Sequence, residues 1–460
     1  MLHPLRPPRD IARRLLGNSL GNSLGAGLGA CLALALVAGC TKKDQSALEA
    51  PPAGEAAPAA ASTASEPAAG EQGAATGSPG AGPTEAPKGS LSEPGPGARN
   101  GPSDSPPKGA PTLAGLTLPP GFSIEVYSAE VPNARSLTLG PKGVVFASNR
   151  KEGDKIYALV DANGDHKVDA VKVVASGLDT PNGIAYRDGA LFIAEVGRLL
   201  RIDGIAGKLD DPPKPKLVTD QLPKETWHGW RYIKFGPDGW LYIPIGAPCN
   251  LCEREDPRFA SIARMKADGS GLEVFASGVR NSVGFDFHPL TKELWFTDNG
   301  RDDLGDDQPG DELNRASKAG LHFGFPYCHQ GNLIDPSFGS GKSCASYEPP
   351  ARALDAHVAA LGLRFYTGKM FPEKYRNAAI VAEHGSWNRA RKNGYRVMVA
   401  QLDSESRVTS YEPLVQGWLD KQSDQVSGRP VDVEVLDDGS LLVSDDYRGA
   451  VYRITYRTPS

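Results

Sequence analysis

A strand–turn–strand pattern that recurs six times constrains the fold of this chain more than any other feature of its sequence. In each copy, two apolar, mostly alternating runs flank a turn, and the RDG, PDG and DDG turns are strong hairpin signals because Asp-Gly readily takes positive φ. The copies start at Leu137, Ile184, Ile233, Phe285, Leu363 and Val433. This recurrence predicts six antiparallel sheets of one kind.

Six similar sheets predict an all-β chain folded as a six-bladed β-propeller. The 53 glycines and 39 prolines among 460 residues, with little helical periodicity, agree with short strands joined by turns. An array of β-sandwiches is the alternative, although its strands would not share one repeated hairpin unit. A propeller places loops at the mouth of a central channel, so we expect the chemistry at strand ends and in long inter-blade loops.

The first 112 residues differ in composition from the rest of the chain. Residues 1–39 carry arginines and then the apolar run LGACLALALVAG, which is too short for a typical membrane span and is typical of an export signal. LVAGC resembles a bacterial lipobox, which implies cleavage before Cys40 and lipid attachment to its thiol; an uncleaved anchor is the alternative. Residues 40–112 are rich in Ala, Pro and Gly, which predicts a disordered tether before a folded domain at 113–460.

Charge and cysteine content narrow the class of protein further. The formal net charge is −5 and no basic cluster follows the export signal, which argues against nucleic-acid binding. In an exported protein, the four cysteines of the folded domain are expected to form two disulfides. Cys249 and Cys252 form the CNLC motif, and Cys328 and Cys344 are close enough in sequence to close a modest loop, but the sequence leaves the connectivity open. Zinc held by these cysteines, or with His322 or His329, is the alternative.

Six stretches in fixed order resemble one enzyme family. They read TWHGWRYIKFGPDGWLYIPIG, SGVRNSVGFDFHP, ELWFTDNGRDDLGDDQPGDELNR, HFGFPYCH, AEHGSWNR and GRPVDVEVLDDGSLLVSD. Together they are similar to the sorbosone and glucose dehydrogenases of the soluble pyrroloquinoline-quinone (PQQ) class, over Leu118 to Tyr456. The resemblance implies a six-bladed propeller that oxidises a sugar, or a related alcohol or aldehyde, with PQQ and calcium.

The resemblance implies that His228 is the general base that removes the substrate proton while hydride moves to the quinone. Imidazole suits this role because its ordinary pKa is close to working pH. Trp227 and Trp230 would exclude water and stack on a sugar, or else simply pack. A family aspartate that orients the base corresponds to Ala247 here, so the partner of His228 stays unassigned.

The resemblance also assigns cofactor contacts. Arg280 and Asn281 match an Arg-Asn pair that contacts PQQ, and Arg429 matches a second arginine. A guanidinium fork and an amide suit the carboxylates and quinone oxygens of PQQ. A family lysine has no clear counterpart, and His384 and Arg389 lie near its place.

Two calcium sites are predicted. The resemblance implies that the carbonyls of Gly300 and Arg301 bind the calcium that polarises the quinone, although the family has proline where Arg301 stands. Separately, DANGDHKVD has oxygen-bearing residues at the spacing of a calcium loop, with a charged hairpin turn as the alternative. These residues are Asp161, Asn163, Asp165 and Asp169.

Two other functions remain open from the sequence. A propeller that lost the orienter of its histidine would serve as a glycan- or protein-binding module, and Ala247 favours this hypothesis. A calcium-dependent lactonase would gather Asn182, Glu195 and Asn299 around one ion. The dehydrogenase hypothesis implies a sugar substrate, a cytochrome or quinone as electron acceptor, and a lipid-anchored place in the cell envelope.

Overall fold

The computed structural model describes residues 110–150 and 153–459. The predicted export signal, Cys40 and most of the predicted tether lie outside these residues. Within the two described ranges, no helix is both long enough and apolar enough to cross a membrane.

Blades 1 and 2 are regular four-stranded antiparallel sheets. Strand β1 (Phe122–Ser128) precedes them. Blade 1 consists of β2 (Ala134–Leu139), β3 (Val144–Asn149), β4 (Ile156–Val160) and β5 (Ala170–Ala175). Blade 2 consists of β6 (Gly183–Arg187), β7 (Ala190–Ala194), β8 (Leu199–Asp203) and β9 (Lys216–Thr219). Blade 3 contains β10 (Lys234–Phe235), β11 (Leu241–Ile245), β12 (Ser261–Met265) and β13 (Glu273–Ser277).

Blade 4 carries an insertion before its last strand. Its first three strands are β14 (Phe285–Phe287), β15 (Leu294–Asp298) and β16 (Gly310–Ala316). The insertion contains β17 (Leu321–His322), β18 (Cys328–His329), β19 (Leu333–Ile334) and the 3₁₀ turn Cys344–Ser346, and β20 (Arg352–Ala356) then completes the blade. β17 pairs in parallel with β13, so the insertion also extends blade 3.

The last two blades complete the ring. Blade 5 consists of β21 (Ala360–Phe365), β22 (Ala379–Glu383), β23 (Arg396–Leu402) and β24 (Val408–Val415), with the 3₁₀ turn Glu373–Tyr375 between its first two strands. A hairpin of β25 (Leu419–Asp420) and β26 (Gln425–Val426) follows. Blade 6 contains β27 (Pro430–Val435), β28 (Leu441–Asp445) and β29 (Ala450–Tyr456), and β1 is its fourth strand.

The architecture confirms the all-β, six-bladed propeller. β1 pairs with β29 in a register that joins Phe122 to Tyr456, so the first and last strands of the domain share one sheet. The innermost strands contact one another from blade to blade, as β2 does with both β27 and β6. Gly239 and Gly439 have φ of 82° and 86° in the PDG and DDG turns, as the hairpin signals predicted.

Apolar side chains fill the spaces between neighbouring sheets. Phe146 and Ile156 of blade 1 share one cluster with Ile193 and Ile202 of blade 2, and similar clusters join the other blades. The alternation seen in the sequence has this cause, because each strand presents successive side chains to opposite faces of its sheet.

Buried hydroxyl groups also connect successive blades. Three hydroxyls on second strands each donate to a carbonyl at the start of the next blade: Ser148 to Asn182, Thr297 to Leu361 and Ser444 to Arg135, each at 2.6 Å. These three side chains are fully buried. Because a buried carbonyl without a donor is costly, the bonds help to fix the innermost strands around the channel.

We expect Ser444→Ala to lower the free energy of unfolding by about 1–3 kcal/mol, because it leaves the Arg135 carbonyl without its buried donor. The backbone N–H of Asp432 also loses its hydroxyl acceptor. Urea unfolding measures the change. Ser270→Ala, at an exposed turn, is the control and should change stability little; equal effects of the two substitutions would contradict the proposed blade connection.

Candidate active site

Chain direction brings most of the sequence-predicted residues to one end of the channel. The second strand of each blade runs antiparallel to the first, so the end of one lies beside the start of the other, as Pro430 pairs with Asp445. Gly183 with Ala194 and Ala360 with Glu383 repeat this arrangement. We call this end the channel mouth. It includes Arg135, Arg150, Asn182, Glu195, His228, Ala247, Arg280, Asn281, Asp298, Asn299, Gly300, His384, Arg429 and Asp446.

His228 lies in the loop before β10, with its backbone at φ 49° and its side chain half-buried. Its Nδ1 is 2.7 Å from the carbonyl oxygen of Ala247. A carbonyl only accepts hydrogen bonds, so Nδ1 carries the proton and donates it. Nε2 is therefore the unprotonated, basic nitrogen of the neutral ring.

The main chain thus supplies the orienting partner that the sequence left unassigned. Ala247 is itself fixed, because its backbone N–H donates to the carbonyl of Arg280 at 2.8 Å. The approach is close: a Cβ on Gly246 would lie 2.6 Å from the Cβ of His228. The absence of a carboxylate at position 247 was the feature that favoured a binding module. The backbone carbonyl of Ala247 now takes the role of orienting His228.

The surroundings of His228 favour its neutral form. Burial lowers the pKa of His228 well below its ordinary value, and the positive charge of Arg280 lowers it further. The hydrogen bond to Ala247 acts in the opposite direction but is the smaller effect. The ring is therefore ready to accept a proton at neutral pH.

Arg280 is buried and its guanidinium group is fully bonded within the protein. Nε donates to the carbonyl of Asn250 at 2.9 Å, and Nη1 donates to the carbonyls of Asn299 and Gly300 at 3.1 and 2.8 Å. Nη2 donates to Oδ1 of Asn250 and to Asp302. Arg280 therefore organises the loops of blades 3 and 4, and its role as a cofactor contact stays a prediction.

The CNLC loop helps to build this part of the mouth. Cys249 and Cys252 form a disulfide on either side of Asn250, the main partner of Arg280. Cys328 and Cys344 form a second disulfide inside the blade 4 insertion. The four sulfur atoms are therefore used in the two expected bridges rather than as zinc ligands.

The side chain of Asn281 makes no hydrogen bond within residues 110–150 and 153–459, whereas its backbone is well held. The N–H groups of Arg280 and Asn281 donate to the Asp298 carboxylate at 2.8 and 2.6 Å. The Asn281 amide is therefore free to meet a ligand in the mouth.

Three buried carboxyl groups, those of Asp298, Asp311 and Glu312, lie near Gly300. Burial raises the pKa of Asp298 and Asp311 to about 7 and that of Glu312 to about 8, and the negative charges of the neighbouring acids add to the effect for Asp311 and Glu312. Asp298, Glu312 and Gly300 line one small cavity together with Asn299. Such an oxygen-rich set is the donor chemistry that calcium prefers.

The two residues of the predicted carbonyl pair have different surroundings. The carbonyl of Gly300 accepts a hydrogen bond from Arg280. The side chain of Arg301 points to Asp335, with Nη1 at 2.8 Å from the carboxylate, and Asp335 also accepts from His329. The Arg301 side chain is thus paired with Asp335. The calcium role of the Gly300 and Arg301 carbonyls stays a prediction.

A single buried carboxylate, Asp446, joins blades 5, 6 and 1. It accepts hydrogen bonds from Arg135 at 3.0 Å, Arg150 at 3.2 Å, Arg429 at 3.1 Å and His384 at 3.0 Å. Burial raises the pKa of Asp446, but the contact with His384 and the charges of Arg429 and Arg135 together hold it well below its usual range. Burial lowers the pKa of His384 to about 4. His384 and Arg429, predicted separately, are therefore brought together.

Trp230 covers this cluster and does not pack in an apolar core. The guanidinium carbons of Arg135 and Arg150 lie 4.8 and 5.0 Å from the centre of the ring. Cation–π contacts of this kind are attractive and fix the indole over the two arginines.

Arg389 belongs to a loop that lies across the mouth from blade 5. It donates to the carbonyls of Asp306 and Ala356, and Asn388 donates to Asp302 at 2.6 Å. Trp387 is held on this loop with 43% of its surface exposed. Arg389 therefore anchors the loop to blade 4, and its cofactor role stays a prediction.

The loop from Asp161 to Asp169 is held by its own amides. Asp161 accepts the backbone N–H groups of Gly164 and His166 at 2.7 and 2.9 Å, and Asp169 accepts that of Ala162. The side chains of Asn163 and Asp165 each accept an N–H two residues on in the same way. These hydrogen bonds hold the turn together, and the calcium role of its oxygen atoms stays a prediction.

The three residues of the lactonase hypothesis have separate partners. Asn182 binds Arg135 and the carbonyl of Arg231, while Glu195 pairs with Arg198. Asn299 donates to two backbone carbonyls. Their side chains are thus used in three different places, and the geometry gives this hypothesis no support.

Sequence reasoning missed Arg135, Arg150 and Asp446. All three occupy the strand ends where a propeller is expected to place its chemistry, since Arg135 is the second residue of β2, Arg150 follows β3 and Asp446 follows β28. A search of the strand ends of the six repeats for charged residues would have found them.

Comparisons with known proteins place the described domain. The profile of a family described as "Domain of unknown function (DUF7133)" matches residues 112–457. An uncharacterized protein of Borreliella burgdorferi is 33% identical over 354 residues, covering 74% of this chain and 91% of that protein. A pyrroloquinoline quinone-dependent pyranose dehydrogenase of Coprinopsis cinerea is 25% identical over 75% of this chain, which spans 53% of the fungal protein's length.

Solved structures share the fold at low sequence identity. The holo PQQ domain of the Coprinopsis cinerea pyranose dehydrogenase has a TM-score of 0.64 at 19% identity and covers 76% of this chain and 99% of that chain. The PQQ-bound aldose sugar dehydrogenase of Streptomyces coelicolor has a TM-score of 0.52 at 18% identity, covering 74% and 100%. A calcium structure of a family AA12 enzyme of Trichoderma reesei has a TM-score of 0.65 at 18% identity, covering 75% and 97%. The structural neighbours are PQQ-dependent sugar dehydrogenases, as the sequence motifs predicted.

Proposed function

The chain belongs to the DUF7133 family, and we propose that it is an exported quinoprotein that oxidises a sugar, or a related aldehyde or alcohol, with PQQ and calcium. One observation carries the proposal: the channel mouth holds a neutral histidine whose Nδ1 is bonded to a carbonyl and whose Nε2 is basic. The similarity to PQQ-dependent dehydrogenases supports the oxidoreductase class.

The residues of the mouth fit the chemistry of the cofactor and the ion. Arg429 and the free amide of Asn281 would meet the carboxylates and quinone oxygens of PQQ. The carbonyl of Gly300, beside the buried carboxyl groups of Asp298 and Glu312, offers hard oxygen donors to calcium. Bound together, the quinone supplies a hydride acceptor and calcium polarises its carbonyl.

His228 performs the proton transfer in this proposal. Its Nε2 accepts the hydroxyl proton of the sugar as the C–H bond gives up its hydride, and Nδ1–H holds the ring against Ala247 throughout. The imidazolium that forms is stabilised by the Ala247 carbonyl, while nearby Arg280 favours return of the proton to solvent.

Reconstitution tests the proposal directly. The purified protein, with PQQ and Ca²⁺, is expected to reduce a redox dye in the presence of at least one sugar from a panel of aldoses. We expect His228→Asn to lower kcat about 10²–10⁴-fold, because general-base catalysis contributes about that factor, while PQQ affinity changes little. Steady-state dye reduction and equilibrium dialysis of PQQ measure the two effects.

His166→Asn is the matched control for that substitution. His166 also has positive φ, at 60°, and is also half-buried, but it belongs to the Asp161–Asp169 turn rather than to the mouth. It should keep full turnover. An absence of PQQ binding and of turnover with every sugar would refute the proposal, as would full activity of His228→Asn.

The pH profile of kcat/KM reports the pKa of the base. Because burial lowers the pKa of His228 below its ordinary value, the ring stays unprotonated as the pH falls through 6.5. The acid limb of the profile is therefore expected well below pH 6.5 rather than near it. A limb centred at or above 6.5 that depends on His228 would show that the ring is not desolvated as the structure indicates.

Export and lipid attachment at Cys40 are part of the proposal, and Cys40 lies outside the described residues. A lipid on this thiol would hold the propeller at the cell envelope, within reach of a cytochrome or quinone that takes electrons from the reduced cofactor. The intact mass of the mature protein is expected to start at a lipidated Cys40. An unmodified chain beginning at Met1 would rule out this location.

A further inference from the structure

The Asp446 cluster at the mouth contains more positive than negative charge. Three guanidinium groups, of Arg135, Arg150 and Arg429, surround one carboxylate, and the surplus is two positive charges. His384 bonds to the same carboxylate, but burial keeps this ring neutral at pH 7. Buried charge without a counter-charge is costly, so this arrangement favours an anionic partner.

The neighbouring acid, Asp445, makes its hydrogen bonds to other groups. Asp445 accepts the backbone N–H groups of Arg429, Tyr447 and Arg448 and the hydroxyl of Tyr452. None of the three guanidinium groups bonds to it. Its hydrogen bonds serve the turn after β28 and not the arginine cluster.

Hydrogen-bond donors in the cluster also lack acceptors. Arg135 is fully buried, and its Nη2 has no hydrogen-bond partner in the described structure. Among the described residues, the side chain of Arg150 bonds only through Nη1, and that of Arg429 only through Nε. Arg280 is the opposite case, because protein acceptors occupy all of its guanidinium nitrogens.

An aromatic ring also belongs to the cluster. The centre of the Trp230 indole lies 4.8 Å from the guanidinium carbon of Arg135 and 5.0 Å from that of Arg150. Trp230 is two residues from His228, so an anion bound here would lie close to the base. A planar aromatic ring that carries carboxylates matches both the indole and the arginines.

We infer that Arg135 and Arg150, with Arg429, form a carboxylate-binding site next to Trp230 that anchors the carboxylates of the quinone cofactor beside His228. The inference rests on the proposed function and adds to it two cofactor-binding residues, Arg135 and Arg150, and the neighbouring ring of Trp230. Asp446 and His384 are positioning residues, since Asp446 holds the three guanidinium groups and His384 holds Asp446, without either needing to touch the ligand.

Binding of PQQ to the purified protein tests the inference without any turnover. By equilibrium dialysis, Arg150→Gln and Arg135→Gln are each expected to weaken PQQ binding about tenfold or more, because each removes charge-assisted hydrogen bonds to a carboxylate. The trimethyl ester of PQQ should bind the unchanged protein weakly, with an affinity that neither substitution alters. Arg150 is 18% exposed, so its variant is expected to fold even if that of the buried Arg135 does not.

Arg315→Gln is the matched control. It also removes one arginine from an ion pair, with Glu293, but on β16. It should leave PQQ affinity unchanged. Equal PQQ affinity of the unchanged protein and of a folded Arg150→Gln variant would overturn the inference and leave the proposed function standing.

Glucuronate, as a second ligand, distinguishes failure of the proposed function from failure of the inferred site. It also distinguishes a carboxylate of the cofactor from a carboxylate of an acidic substrate. If the unchanged protein fails to bind PQQ, the proposed function fails, and binding of glucuronate becomes decisive. Glucuronate binding that Arg150→Gln weakens would assign the site to an acidic substrate and overturn the cofactor assignment. Binding of neither ligand would overturn the site itself.

Discussion

Closure of the ring by β1 and β29 is the constraint on which the channel mouth depends. The first strand of the domain completes the last sheet, and this pairing brings blade 6 against blade 1. Across that junction Ser444 donates to the carbonyl of Arg135, and Asp446 binds the Arg135 side chain, although 311 residues separate the two. Without closure, the buried carboxylate and the arginines would have no common place.

The mouth has two electrostatic halves with His228 between them. Blade 4 brings together buried acids, whose pKa values are raised because burial disfavours their charged forms. Blades 6 and 1 bring together three arginines around Asp446, whose pKa is held below its usual range by His384, Arg429 and Arg135. The arginines complement an anionic, planar cofactor, and the oxygen atoms of blade 4 complement a hard cation. His228, the proposed base, is kept neutral and therefore able to accept a proton.

The strand repeat predicted the fold because its periodicity is local: the alternation of side chains and the Asp-Gly turns need only neighbours in sequence. The presence of two disulfides and the placement of His228 before β10 were also within reach, and the motifs led to the right structural neighbours. The loop from Asp161 shows what spacing arguments leave open, because its carboxylates also accept backbone N–H groups of the turn and its calcium role stays a prediction. Oxygen spacing alone does not say where the oxygen atoms point.

The sequence by itself determined six similar sheets and a histidine in a loop leading to an innermost strand. Only the tertiary structure decided what holds that histidine, since the carbonyl of Ala247 carries no side-chain signal and its direction depends on the Arg280 backbone behind it. Only the tertiary structure, likewise, placed Arg135, Arg150 and Arg429 around one carboxylate. Local patterns record which residues alternate and turn, whereas contacts between the first and last blades arise when the ring closes.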